Sequence, residues 1–369
     1  MNQGIMNLGT FLNAVGNHLW QSTIFALFAW LLVQIFRWNS ARVRYSIWML
    51  ASLKFLFPLS LLIALGSHLS GPAKQYVAAV NVPAIHFFEL PFGSDPFQKA
   101  TARSEPNPTP NQLPTRAVVA IWLVGVAAVV VSRLVRMRRV REILSMARRL
   151  EDGREIEAIE RAKSRRGLAR KVRCATTESV IEPGIHGIFR PTLVLPSGVA
   201  ERLDAGQLDA IVDHEICHVR WYDNLSALIH MSVEAIFWFH PLVWWMGARL
   251  VDERERACDE QALENGGDPQ VYASAILKIC EFYVASPLDC VAGVSGGNLK
   301  RRIEEIMRHR MVQKLSGGKK LLLAALAVLA VAAPTTVGVL TALPSALNPR
   351  CPRPCHGLSS RWLRSSRVF

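Results

Sequence analysis

Asp213-His214-Glu215-Ile216-Cys217-His218-Val219-Arg220 is the stretch on which the reading of the whole chain turns. It contains an H-E-x-x-H in residues that suit a helix. On an α-helix, positions i and i+4 differ by only about 40° around the axis, so His214 and His218 project side by side and can hold one zinc ion. Glu215 stands next to the open coordination position, where a carboxylate serves as general base toward water. A catalytic zinc takes three protein ligands, and two histidines leave it one short. The run Glu255-Arg256-Ala257-Cys258-Asp259 offers the third: Glu255 completes a His-His-Glu set, and Asp259, one turn on, can orient a ligand imidazole. Taken alone, a buried histidine is more often a core residue, and a glutamate within Asp252-Glu253-Arg254-Glu255-Arg256 usually lies on a solvated face. Together the two motifs predict one Zn2+ per chain.

Working outward, the segment between the motifs is apolar. Residues 227–250, with Phe237, Trp238, Phe239, Trp244 and Trp245, are long and greasy enough to cross a bilayer. A single crossing would put Glu255 on the opposite face from His214, and one ion could not then bind both. Pro241 predicts a break, giving one helix to about residue 239 and another from 241 that dip into the inner leaflet and return.

Half of the 369 residues are hydrophobic and the mean hydropathy is positive, which suits a membrane protein carrying one soluble domain. Apolar runs at residues 19–36, 46–66, 116–132 and 320–343 read as transmembrane helices, the second interrupted by Lys54 and Pro58. Arginines cluster after the first run (Arg37, Arg42, Arg44) and after the third (Arg133, Arg136, Arg138, Arg139, Arg141), which places those flanks in the cytoplasm. The Pro-rich segment 67–115 is then an extracytoplasmic loop, and 344–369 a short extracytoplasmic tail. The formal charge of +14 is therefore largely topological, and no direct contact with nucleic acid is expected. The seven cysteines lack the spacings of a zinc ribbon or disulfide scaffold. Cys217 and Cys258 read as small core residues of a reducing compartment.

Residues 133–319 make the expected cytoplasmic domain. Basic helical sequence runs to about residue 170 and gives way to short β-rich pieces ending in Thr192-Leu193-Val194-Leu195-Pro196. Thr192, Leu193 and Val194 are read as an edge strand able to bind a substrate in extended form, or as an ordinary sheet strand. The fold class predicted is a mainly α membrane protein of about four transmembrane helices with a cytoplasmic α+β domain that holds the metal site.

The combination resembles the integral-membrane zinc peptidases of the BlaR/MecR type over about residues 16 to 343. The resemblance is carried by His18-Leu19-Trp20-Gln21-Ser22, Arg44-Tyr45-Ser46-Ile47-Trp48, Pro191 to Pro196, His214 to Asn224, Phe239-His240-Pro241-Leu242-Val243-Trp244, Glu255 to Asp259, and Leu299-Lys300-Arg301-Arg302-Ile303. It implies a gluzincin-like metallopeptidase domain, with His214, His218 and Glu255 as zinc ligands and Glu215 as the base. It also implies a regulatory endopeptidase in the bacterial cell membrane, with a cytoplasmic protein as substrate: a transcriptional repressor or the chain itself. β-Lactam sensors of this type carry a penicillin-binding domain after the fourth span. Nothing with its size or its S-x-x-K motif follows residue 343 here, so antibiotic sensing by that route is not expected. A second reading keeps the zinc but not the chemistry: a transmembrane receptor stapled by a structural ion, with Cys217 or Cys258 as fourth ligand.

Overall fold

The computed structural model describes residues 8–58, 61, 65, 113–179, 182–264, 267–284, 296–308 and 316–341. Most of the Pro-rich loop, part of the second expected span and the C-terminal tail lie outside the described residues. The chain divides into two compact units, residues 1–58 with 88–325 and residues 59–87 with 326–369. The packing below belongs to the first.

Helix α1 (Leu8–Ile35) is followed by α2 (Ala41–Leu56) and the long α3 (Leu113–Met146). By length and composition, Leu12–Ile35 and Arg116–Met146 are able to cross a membrane. α2 has 16 residues, fewer than the roughly 20 of a full crossing. α3 runs on through the arginine cluster that was expected to end the third span, because Arg, Met and Leu are all good helix formers. A short strand β1 (Arg148–Leu150), not foreseen from the sequence, precedes α4 (Arg154–Arg166).

β2 (Arg173–Thr177), β3 (Gly184–His186) and β4 (Thr192–Pro196) complete a sheet of order β1-β2-β4-β3. β2 and β4 are parallel; β1 and β3 are antiparallel to their neighbours. This corrects the assignment of Thr192, Leu193 and Val194 to a substrate-binding edge. Both sides of β4 are already paired, and Leu193 and Val194 are fully buried. An unbroken apolar run is what a central strand covered on both faces requires. The free edge on that side is β3, which packs against the metal-motif helix.

The remaining elements are α5 (Val199–Arg202), α6 (Ala205–Arg220), α7 (Asp223–Ile236), α8 (Pro241–Glu264), α9 (Pro269–Val284), α10 (Gly296–Arg308) and α11 (Gly317–Thr341). α6 starts at a capping box, with Asp204 Oδ1 accepting from Gln207 N at 2.8 Å and Gln207 Oε1 accepting from Asp204 N at 3.1 Å. One core gathers Ile159, Leu193, Leu195, Leu208, Val212, Ile216 and Tyr272 between α4, the sheet, α6 and α9. A second joins α1, α2, α7 and α8 through Ala29, Trp48, Phe55, Val233, Val243 and Met246. The chain breaks between Ile236 and Pro241, so α7 and α8 form a hairpin instead of one continuous helix. Close approach in that hairpin requires glycine: a Cβ at Gly247 would stand 2.7 Å from both Glu234 Oε1 and His230 Nε2.

Candidate metal centre

α6 carries His214, Glu215 and His218, and all but the rim of this segment is buried. The two imidazoles stand 5.1 Å apart between centroids and nearly perpendicular, at 85°. Glu255 enters from α8. Its Oε1 accepts from Arg254 Nη2 at 2.8 Å, which leaves Oε2 3.5 Å from His214 Nε2 and 4.0 Å from His218 Nε2. The three ligand atoms lie within 4.8 Å of one another. Donors of a tetrahedral zinc with bonds near 2.0–2.1 Å stand roughly 3.3–3.4 Å apart. Small side-chain movements would therefore seat one ion, and two neutral nitrogens with one carboxylate oxygen suit zinc.

The far nitrogens are held by a second ring of groups. His214 Nδ1 lies 2.8 Å from Tyr272 OH and 3.1 Å from Asp259 Oδ1. Tyr272 OH itself donates to Asp259 Oδ1 at 2.6 Å. His218 Nδ1 lies 2.8 Å from Asp223 Oδ2. With each Nδ1–H donating to oxygen, each Nε2 keeps its lone pair for a metal. Asp223 reaches His218 because Tyr222, at φ 55°, takes the left-handed conformation and turns the chain sharply from α6 into α7.

The charges fit this arrangement. Burial opposes ionisation of Glu255, but His214, His218 and Arg254 overcome it and hold its carboxyl well below the usual range. Burial would also depress the His214 imidazolium; its contacts with Asp259 and Glu255 outweigh that and raise it to about 10. A proton therefore competes with metal at this residue. Glu215 behaves oppositely: burial raises its carboxyl, against the pull of His218 and His214. A carboxyl raised in this way is suited to accept and then release a proton. Burial opposes the charge of Asp259 as well, and Arg302 and His214 reverse that, so its carboxyl stays ionised.

The structure thus brings His214, His218, Glu255, Glu215 and Asp259 into one place, and leaves Thr192, Leu193 and Val194 in the sheet interior. Cys258 Sγ lies 3.4 Å from His218 Nδ1, on the edge of the ring opposite Nε2. It is therefore behind the ligand, where a fourth donor to the same ion cannot sit. Three members of the centre carried no role in the sequence reading. Asp223 and Arg302 lay inside quoted motifs, five residues after His218 and three after Leu299, without any periodicity to mark them. Tyr272, 58 residues from His214, gave no signal at all.

Comparison with known proteins places this geometry in context. Residues 14–306 match the family described as BlaR1 peptidase M56. The methicillin resistance mecR1 protein of Staphylococcus aureus is 22% identical over 214 residues, covering 56% of this chain and 36% of that protein. The regulatory protein BlaR1 of Bacillus licheniformis is 24% identical over 225 residues, covering 59% of this chain and 37% of that one. The chain thus spans little more than a third of the length of these relatives. With a family match running from α1 into α10, across every residue of the centre, the chain belongs to the BlaR1 peptidase M56 family.

Proposed function

We propose that this chain is a membrane-embedded, zinc-dependent endopeptidase that cleaves peptide bonds at the cytoplasmic face and serves in regulation. The observation that carries the reading is the approach of Glu255 Oε2 to the Nε2 atoms of both histidines, at 3.5 and 4.0 Å, beside the buried carboxyl of Glu215. His214, His218 and Glu255 would hold the ion, which when bound supplies a Lewis acid toward the scissile carbonyl. Glu215 accepts a proton from the attacking water and passes it to the leaving amine. Asp223, Asp259 and Tyr272 fix the tautomers of the two histidines.

The peptide is read along β3. Asn224 Nδ2 donates to Ile185 O and Gly187 O at 3.1 Å each, which anchors this strand to the start of α7. In an antiparallel ladder the N–H and C=O of one residue face the same side. Ile185 therefore turns its N–H to the same side as the carbonyl that Asn224 holds, and that N–H is the donor left for an added extended chain. The relatives' descriptions, one as a regulatory protein and one by methicillin resistance, favour a regulatory substrate. A transcriptional repressor and the chain itself are the first to test.

Glu215→Gln, purified in detergent beside the parent chain, is expected to keep its zinc and to lose about 10²–10⁴-fold in cleavage. Glu255→Ala is expected to lose zinc as well as activity. Undiminished cleavage by Glu215→Gln removes the assigned base, and full zinc occupancy in Glu255→Ala moves the third ligand elsewhere.

A further inference from the structure

α10 brings a cation to the metal face of the centre. Its apolar positions, Leu299, Ile303 and Ile306, pack onto the core at helical spacing, and this fixes the side between them that carries Arg302. Arg302 grips Asp259 with a two-pronged fork, Nε to Oδ2 at 2.9 Å and Nη2 to Oδ1 at 2.7 Å. Nη2 also lies 3.2 Å from Tyr272 OH and 3.4 Å from His214 Nε2, the nitrogen that faces Glu255. The guanidinium therefore lies alongside the imidazole, reaching its Nε2 side as well as Tyr272 and Asp259, which hold Nδ1.

These contacts occupy Nε and Nη2. Nη1 makes no hydrogen bond among the described residues, and the side chain is 29% exposed. A guanidinium has five N–H groups in a rigid plane, so a fork fixed at one edge aims the remaining donors. A clamp on Asp259 alone has no need to stand on the metal side, where a second cation would repel it. A peptide substrate places carbonyl oxygens on that side of the ion.

We propose that Arg302 is a substrate-contacting residue of this centre, its Nη1 donating to a backbone carbonyl oxygen next to the scissile bond while Asp259 and Tyr272 hold it in place. The inference rests on the zinc-peptidase reading and names the group that would recognise the substrate backbone.

The test uses the full zinc-loaded chain in detergent, with binding and metal content as readouts. The probes are a capped dipeptide hydroxamate, which carries backbone carbonyls, and acetohydroxamate, which has only the chelating group. Arg302→Gln is expected to weaken the dipeptide compound roughly 10–100-fold, the range for a hydrogen bond to a charged group. Acetohydroxamate affinity, compared at equal zinc occupancy, should stay as in the parent. Arg302→Lys, which keeps the charge but not the fork, should also weaken the dipeptide compound without losing zinc, and serves if the glutamine variant does not fold. Equal binding of the dipeptide compound by parent and both variants overturns the inference. So does a joint loss of zinc and of both probes in the two variants, which would make Arg302 a support for Asp259 only. A parent chain that binds acetohydroxamate but not the dipeptide compound overturns the peptidase reading itself, and this inference with it.

Discussion

Asp223 touches Nδ1 of His218 at 2.8 Å, and its side chain is almost wholly buried. Removing it frees the imidazole to rotate and to change tautomer, so Asp223→Ala should lower zinc affinity about 10–100-fold, measured by competition with a metallochromic chelator. Unchanged affinity would show that packing alone orients the ring. That His214 and His218 share a face was legible because helical period fixes which neighbours stand together; the groups behind them were not, because no period says which distant helix arrives there. Arg302, 88 residues from His214, is the extreme case. Glu260 offers a pH test away from the ion. It accepts from the first N–H of α2, Ala41 N, at 2.8 Å, and burial raises its carboxyl to about 7. The folded chain then holds this proton more tightly than the unfolded one. The group's contribution to stability is complete below its ordinary range near 4.5 and is lost as pH rises toward 7. Glu260→Gln keeps the acceptor and removes the ionisation. Its stability relative to the parent should rise across that window in thermal scans; a constant difference would contradict the assignment.

Among the elements, β3 and β4 show what apolarity can and cannot tell. Thr192-Leu193-Val194-Leu195-Pro196 announced a strand, and a strand is there, but edge or centre depends on neighbours that a local run does not name. Its continuous apolar character pointed to the centre. The actual edge, Gly184-Ile185-His186, has three residues and no such pattern, so its role is visible only in the sheet order. The α7–α8 break was more legible, since Pro241 lacks the N–H that a continuous helix would need. If β3 receives the substrate, Ile185→Pro should abolish peptide binding while leaving zinc content and folding intact, because proline is tolerated where an edge N–H faces outward. Asn224→Ala, which releases the carbonyls of Ile185 and Gly187, should raise KM with little change in kcat. Cleavage at parental KM by both variants would remove β3 from the substrate site.

At the scale of the molecule, the lipid-facing surface and the metal centre have to be reconciled. None of the most apolar stretch of Arg116–Met146 is buried in the protein, and α1 exposes Trp20, Leu27, Trp30 and Leu31. Surfaces of that kind need an apolar medium. α3 is nevertheless tied to the hairpin behind the centre: Arg133 Nη2 pairs with Glu234 Oε2 at 2.6 Å, and Trp122 Nε1 donates to Ile236 O at 2.9 Å. A hairpin that entered the bilayer and left by the other face would carry Glu255 away from His214, yet the two stand 3.5 Å apart. The proposed arrangement therefore has α7 and α8 entering and leaving by one face. Phe189, in the turn between β3 and β4, is 89% exposed, and Asp252, in α8 past its apolar first half, has a 40% exposed side chain. Cysteines placed singly at these two positions should both gain reaction, over the parent, with a membrane-impermeant maleimide in inverted vesicles, and neither should do so in right-side-out cells. Labelling of the two positions from opposite sides would mean that the segment between the motifs crosses the membrane, and no single ion could then join them.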